Sequence, residues 1–308
     1  MLNILLIATD TSHFTNNNYH VLEKELANIT NLMVYRKSGH INKILHNIPY
    51  KPDFILILND VGKNFAPVVN GLSTINIPTA LVVNDAHRFV NQRKRYIIAN
   101  HIKIFFVICK HNFFNYYPDQ QHDKVFFLPQ FANISIFKKY NIEKSIDMMM
   151  LGETSLPKIY PLREQILKYF KSDPRFVTSP HPGWKNFSEK QAKEALIKEN
   201  YAREINKAKL FFACGSIRQV VTFKYFEVPA CGTLLLAPDL PELKEIGLLP
   251  GKHFVDINEE NFAEKAEYYL INEQKRKRII EQGFHFIHHN HSAAHRAKQL
   301  VDQIKTIL

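Results

Sequence analysis

Short apolar runs alternate with amphipathic stretches along this chain, in two successive series, and no other feature constrains its fold as strongly. In the first series the runs predict strands over Leu2–Ala8, Asn31–Tyr35, Phe54–Leu58, Ala80–Val83, Lys103–Ile108 and Val125–Leu128. They are rich in Ile, Val, Leu and Phe and lack strict alternation, which is how strands buried on both faces of a parallel sheet read. A second series predicts strands over Ile146–Leu151, Arg175–Thr178, Lys209–Ala213, Thr233–Ala237 and His253–Asp256. Helical spacing fills the intervals, with predicted helices over Tyr160–Phe170, Glu189–Ile205, Phe223–Ala230, Glu259–Leu270, Glu273–His288 and Ser292–Ile307. Strand–helix alternation implies a doubly wound α/β fold. The stretch from Pro129 to Lys144 reads as a linker, so the expected domains are 1–135 and 136–308, the second ending in closing helices. Two such halves leave a cleft beyond their strand ends, the default place for a ligand in open α/β sheets.

What the chain lacks narrows its chemistry. Its 308 residues contain three cysteines, Cys109, Cys214 and Cys231, and none forms a CxxC pair, which excludes a disulfide framework and a zinc ribbon. Of only 10 glycines, the first half holds Gly39, Gly62 and Gly71, so no GxGxxG follows the first strand and a dinucleotide fingerprint is absent. There is no P-loop, no HExxH and no GxSxG elbow. The absence of any Asp-x-Asp weighs against holding a metal–diphosphate through two close carboxylates. The apolar run after Met1 stops at Thr9-Asp10, too short for a signal peptide or a membrane span, so a soluble, reduced, cytoplasmic protein is expected. A formal charge of +11 points to an anionic partner: a nucleotide, a nucleic acid, an acidic glycan or a membrane surface.

The segment from Lys209 to Thr233 carries the clearest chemical signal. A strand ends, a loop follows, and a short helix is expected from Thr222, an acceptable N-cap. Phe223, Phe226 and Ala230 fall on a sheet-facing side, while Lys224 and Glu227 share another at i, i+3. Pro229 should end or kink the helix, and Gly232 suits the following turn. This arrangement suits a nucleoside diphosphate. Backbone amides at the helix entry attract phosphate, Arg218 and Lys224 neutralise its charge, and Glu227 accepts hydrogen bonds from ribose hydroxyls. The competing reading makes Lys224 and Glu227 a surface ion pair of little energetic value.

With the motifs in place, a family resemblance emerges. Phe223-Lys224-Tyr225-Phe226-Glu227-Val228-Pro229-Ala230-Cys231-Gly232, then Pro241-Glu242-Leu243, Pro250-Gly251-Lys252, His291-Ser292 and His295-Arg296-Ala297, resemble the C-terminal half of GT-B glycosyltransferases, nearest to the spore-maturation (CgeB-like) group. Leu151-Gly152 followed by Tyr160-Pro161-Leu162-Arg163 resembles the first strand and helix of that half. The likeness covers about Ile146 to Leu300. The first half is a looser match, through Lys51-Pro52-Asp53, Ile77-Pro78-Thr79, Asn84-Asp85-Ala86-His87 and Leu128-Pro129. The resemblance implies two Rossmann-like domains facing across a cleft, with a nucleotide-sugar, UDP-linked by analogy, in the C-terminal one and the acceptor on the N-terminal one. It implies transfer without a bound metal and places Glu227 as the ribose-binding glutamate. Gly152, His181, Arg218, Val221, Thr222, Lys224 and Glu227 form the expected donor set. Retaining members carry a further glutamate where this chain has Gln219, an amide that can bind a sugar hydroxyl without charge.

Asp85 and His87 follow a predicted strand end, and either can act as the base that deprotonates an acceptor hydroxyl; alternatively Asn84 or Asp85 caps a helix. Asp10 and His13 hold the same position beyond the first strand. His181-Pro182-Gly183-Trp184 offers a contact to donor base or sugar, or simply a turn. Five histidines between His285 and His295 invite a zinc reading, but carboxylate partners are sparse and no metal site is expected. From Arg88 to Lys110, basic residues interleave with Phe89, Tyr96 and Phe105, a pattern suited to nucleic acid or an anionic membrane surface, or to a solvated helix face. The acceptor is left as an anionic glycan, a protein or a small molecule. Two further readings stand beside sugar transfer: a GT-B enzyme glucosylating modified DNA bases, and a non-catalytic nucleotide-binding module of the same fold.

Overall fold

A computed structural model describes residues 1–153 and 156–308. The chain divides into two compact units. One comprises Met1–Ser12, Tyr19–Pro129 and Arg296–Leu308, the other His13–Asn18 and Gln130–His295.

The first unit holds a six-stranded parallel sheet: β1 (Asn3–Ala8), β2 (Asn31–Tyr35), β3 (Phe54–Leu58), β4 (Thr79–Val83), β5 (Ile104–Val107) and β6 (Val125–Phe127). Its order is β2-β1-β3-β4-β5-β6, so the winding reverses between β1 and β3. All five residues of β3 are buried, as a run without alternation requires. Leu5, Ile7, Ile55, Ile57, Leu81 and Val83 build the core on one face of this sheet. At β6, the Phe127 carbonyl accepts a hydrogen bond from Gln299 Nε2 at 3.0 Å, so the C-terminal residues belong to this unit.

The second unit holds a five-stranded parallel sheet: β7 (Ile146–Gly152), β8 (Phe176–Pro180), β9 (Ala208–Phe212), β10 (Leu234–Ala237) and β11 (Val255–Asp256). The order β8-β7-β9-β10-β11 reverses between β7 and β9. Successive residues along β7 explain its methionine run. Met149 and Leu151 enter one core, Met148 and Met150 the other. Phe211 and Phe212 divide between the two faces in the same way.

The expected strands all form, with ends shifted by a residue or two. Two features differ. The helix expected over Glu189–Ile205 is two helices, Glu189–Glu194 and Lys198–Lys207. Ala195 and Ile197 are extended and Lys198 has φ +48°, because the break lets Ile197 turn into the interior. A short parallel pair, Gly39–His40 with Val69–Asn70, is too brief to leave a hydrophobic pattern. No helix among the described residues is long and apolar enough to cross a membrane.

Candidate functional site

In open α/β sheets a crevice forms where the winding reverses. In the second unit that point lies at the ends of β7 and β9, and β7 ends on Gly152. Gly152 has φ +145°, a conformation L side chains rarely adopt. A Cβ built there would lie 3.4 Å from Nη1 of Arg163 and 3.4 Å from Nζ of Lys224. Two cations from different helices, Pro161–Tyr169 and Lys224–Ala230, therefore converge on one stretch of bare backbone. Their nitrogens are no more than about 7 Å apart, and two unit charges at that separation repel by roughly 2 kcal/mol at an effective dielectric of about 20.

Neither cation forms an ion pair among the described residues. Arg163 donates to the carbonyl of Glu153, and its guanidinium lies 4.2 Å from the centroid of the Tyr160 ring. Lys224 Nζ lies 6.0 Å from the centroid of the Tyr201 ring. Burial pushes the Lys224 ammonium below the usual lysine range, and Arg163 pushes it further. The expected surface pair of Lys224 and Glu227 is not what forms: Glu227 is 3% exposed and stands beyond ion-pair distance of Lys224. Burial raises its carboxyl above the usual range, with Lys224 opposing the shift. Glu227 Oε1 accepts a hydrogen bond from Asn16 Nδ2 at 3.2 Å.

Asn16 belongs to a segment clipped onto this unit. Thr15 N donates to the Lys185 carbonyl at 2.9 Å, Phe187 N donates to the His13 carbonyl at 2.8 Å, and Thr15 Oγ1 donates to the Gly183 carbonyl at 2.6 Å. The same loop holds His181, whose Nδ1 accepts from Gly183 N at 3.0 Å and whose ring lies 4.7 Å from Trp184. Burial, then Lys224, lowers the His181 imidazole to about 4, so it is neutral at physiological pH. His181-Pro182-Gly183-Trp184 is thus a turn that also brings a neutral imidazole near the cations.

The helix entry departs from expectation. Thr222 is not the N-cap. Phe223 occupies that position without a side-chain cap, and the buried Thr222 hydroxyl makes no hydrogen bond. The amides of Tyr225, Phe226 and Glu227 donate to the carbonyls of Thr222 and Phe223. The first two are tight 3₁₀-type bonds and the third an ordinary α-helical one, so two of the donors that the sequence offered to phosphate are already used. Pro229 sits inside the helix, which ends one residue later, and Gly232 turns the chain at φ +66°. Val221 is 2% exposed and packs in the core, leaving only its main chain for a ligand. Gln219 is exposed in a turn at φ +54°, with its amide donating to the Ser216 carbonyl at 3.1 Å. Arg218 is partly exposed, and its amide donates to Ser216 Oγ at 3.2 Å.

In the first unit, Asp85 is partly exposed and pairs with Arg88 at 3.5 Å, and His87 is partly buried nearby in sequence. Neither Asn84 nor Asp85 caps a helix, since the next one begins at Val90 with Phe89 before it. Their amides instead donate to Asp60 Oδ2, at 2.9 and 3.2 Å. Arg93, expected on a solvated basic face, is fully buried, with Nη2 2.7 Å from the same carboxylate oxygen. Of the histidine cluster, His288 Nε2 meets the Ala230 carbonyl at 3.1 Å, His291 Nε2 meets the Ile246 carbonyl at 2.9 Å, and His295 Nδ1 meets Ser292 Oγ at 2.7 Å. Asn16, Arg163 and Tyr201 escaped the sequence reading as site residues. The one available signal was Arg163, adjacent to Pro161-Leu162 in the helix after β7.

Residues 162–302 match the family described as glycosyl transferase-like. No curated protein sequence matches the chain. Among solved structures, HepE from Anabaena in complex with UDP and glucose is 9% identical with a TM-score of 0.66, over 99% of this chain and 100% of that one. Sucrose-phosphate synthase from Thermosynechococcus elongatus is 10% identical with a TM-score of 0.67, over 100% and 99%. A glycosyltransferase from Rickettsia africae is 11% identical with a TM-score of 0.59, over 99% and 98%. At such identities the likeness speaks for the fold, which is α/β of the GT-B class.

Proposed function

We propose that this protein transfers a sugar from a nucleotide-sugar, UDP-linked, to an acceptor hydroxyl. The observation that carries the reading is the pair of oppositely charged groups Lys224, partly buried, and Glu227, buried, one turn apart on a helix inside the segment that matches a glycosyl transferase-like family. Lys224 and Arg218 take the diphosphate, and Glu227 takes the ribose by exchanging its hydrogen bond to Asn16 for bonds to sugar hydroxyls. Gly152, His181, Val221 and Thr222 complete the donor side, through backbone at Val221. HepE, similar in fold, was solved with UDP and with UDP-glucose, which favours uridine as the base.

In the reaction, the bond from the anomeric carbon to phosphate oxygen breaks and its electron pair leaves with the diphosphate. A bond forms from the acceptor oxygen to the anomeric carbon, and the acceptor proton passes to a base. Asp85 or His87 is our candidate base, and Gln219 a hydrogen-bonding partner for the donor sugar. Basic side chains meet the leaving group's charge, so the proposed chemistry uses no bound metal. The acceptor, which we take to be an anionic glycan, protein or small molecule, belongs to the N-terminal domain (1–135) and the donor to the C-terminal domain (136–308). The motif order favours the CgeB-like branch, and we take the enzyme to be cytoplasmic.

Thermal denaturation with UDP, GDP, TDP and ADP sugars tests this reading. A rise in melting temperature with UDP or a UDP-sugar that disappears in Glu227→Ala is expected. No shift with any nucleotide at millimolar concentration overturns it. A shift accompanied by neither transfer nor donor hydrolysis across the panel overturns the enzymatic part and leaves a binding module.

A further inference from the structure

We propose that Arg163 is a second diphosphate-binding residue, which grips the phosphates jointly with Lys224 above the bare backbone of Gly152. The inference rests on the nucleotide-sugar reading and adds a residue to it.

The geometry converges from three directions. Arg163 Nη1 and Lys224 Nζ each lie 3.4 Å from the point where a Gly152 side chain would start. That point is at the end of β7, where the winding of the sheet reverses. A phosphate oxygen seated there meets both cations, and nothing larger than hydrogen at position 152 leaves room for it. The required φ of +145° supplies an independent reason for glycine.

Arg163 is a costly residue to keep here without a ligand. It is 5% exposed, its Nε makes no hydrogen bond, and among the described residues no carboxylate stands within ion-pair distance of it. Buried cations are ordinarily paired. Instead Lys224, of the same sign, stands within about 7 Å of it. The guanidinium is nonetheless well positioned: Tyr160 supports its plane at 4.2 Å, and Nη1 donates to the Glu153 carbonyl. The buried hydroxyl of Tyr201, whose ring centroid lies 6.0 Å from Lys224 Nζ, also lacks a partner. A dianion between these groups satisfies orphan donors and turns a repulsion into two attractions. Arginine suits the task because its fork offers parallel N–H groups to two phosphate oxygens.

A purely structural role, holding the Glu153 carbonyl against the Tyr160 ring, is the rival account, and the two differ in what they do to phosphate-bearing and phosphate-free ligands. Titration calorimetry on the full chain with UDP, uridine and inorganic pyrophosphate separates them. Arg163→Gln is expected to weaken UDP and pyrophosphate at least tenfold while uridine binds as before, and Arg163→Lys to recover part of the loss. A UDP-to-uridine affinity ratio unchanged in Arg163→Gln overturns the inference, whatever happens to the melting temperature. Should Arg163→Gln fail to fold, the same unchanged ratio in Arg163→Lys overturns it. If the unmodified protein binds UDP no better than uridine, the donor reading itself falls, and Arg163 falls with it.

Discussion

Beyond the strand ends of the first unit, a buried carboxylate and a buried guanidinium meet at 2.7 Å: Asp60 follows β3, and Arg93 reaches it from the helix Val90–Asn100. Beyond the strand ends of the second unit, two cations, Arg163 and Lys224, converge on Gly152, and among the described residues neither forms an ion pair. The first cluster is closed in charge, although Asp60 Oδ1 and Arg93 Nε make no hydrogen bond. Asp60 Oδ2 also accepts the amides of Asn84 and Asp85, and Arg93 Nη1 donates to the Tyr117 hydroxyl at 2.7 Å. The second is open, with unsatisfied donors on Arg163, Tyr201 and Thr222. Similar sheets thus use buried charge in different ways. A closed ion pair organises loops, whereas an open pair of like charges costs stability until an anion arrives.

The largest expected effect is on the closed pair. Asp60→Ala leaves a buried guanidinium uncompensated and should lower unfolding free energy by on the order of 3–5 kcal/mol, measured by urea denaturation. A loss under about 1 kcal/mol would break the comparison from the first side. Lys224→Met should behave in the opposite sense without ligand, leaving stability unchanged or raising it by up to about 2 kcal/mol, because it removes a repulsion. Its UDP affinity should fall roughly tenfold to a hundredfold, since a hydrogen bond to a charged group contributes about 1.5–3 kcal/mol. Destabilisation comparable to that of Asp60→Ala would show that Lys224 is paired after all.

The smallest effect concerns pH. His181 is held near 4, below its usual 6.5, by burial and then by Lys224. The unfolded chain therefore takes up this proton first, so the contribution of His181 to stability is present above about 6.5 and is lost as pH falls toward 4. His181→Asn should flatten the slope of stability against pH in that window. An unchanged slope would remove His181 from the cationic environment.

Much of the fold was legible in sequence because parallel strands buried on both faces leave continuous apolar runs, as β3 and β7 do. The break between Glu194 and Lys198 was not, because Leu196 and Ile197 look the same in a helix as in an inward-turned bend. Within the site, Lys224 and Glu227 were legible because helical spacing alone brings them near each other. Asn16 was invisible: it lies 211 positions from Glu227, and only the docking of residues 13–18 onto the second unit brings them together.

The sequence by itself determined the α/β class, the parallel sheets, and the placing of a cation and a carboxylate one turn apart on the helix Lys224–Ala230. Those properties follow from periodicity, which acts over a few residues. Tertiary structure decided which charges are spent internally and which stand open. It buried Arg93 against Asp60 and brought Arg163 to Lys224 over Gly152. Pairing of charges depends on distances that crossover connections create between remote segments, and no local pattern records them.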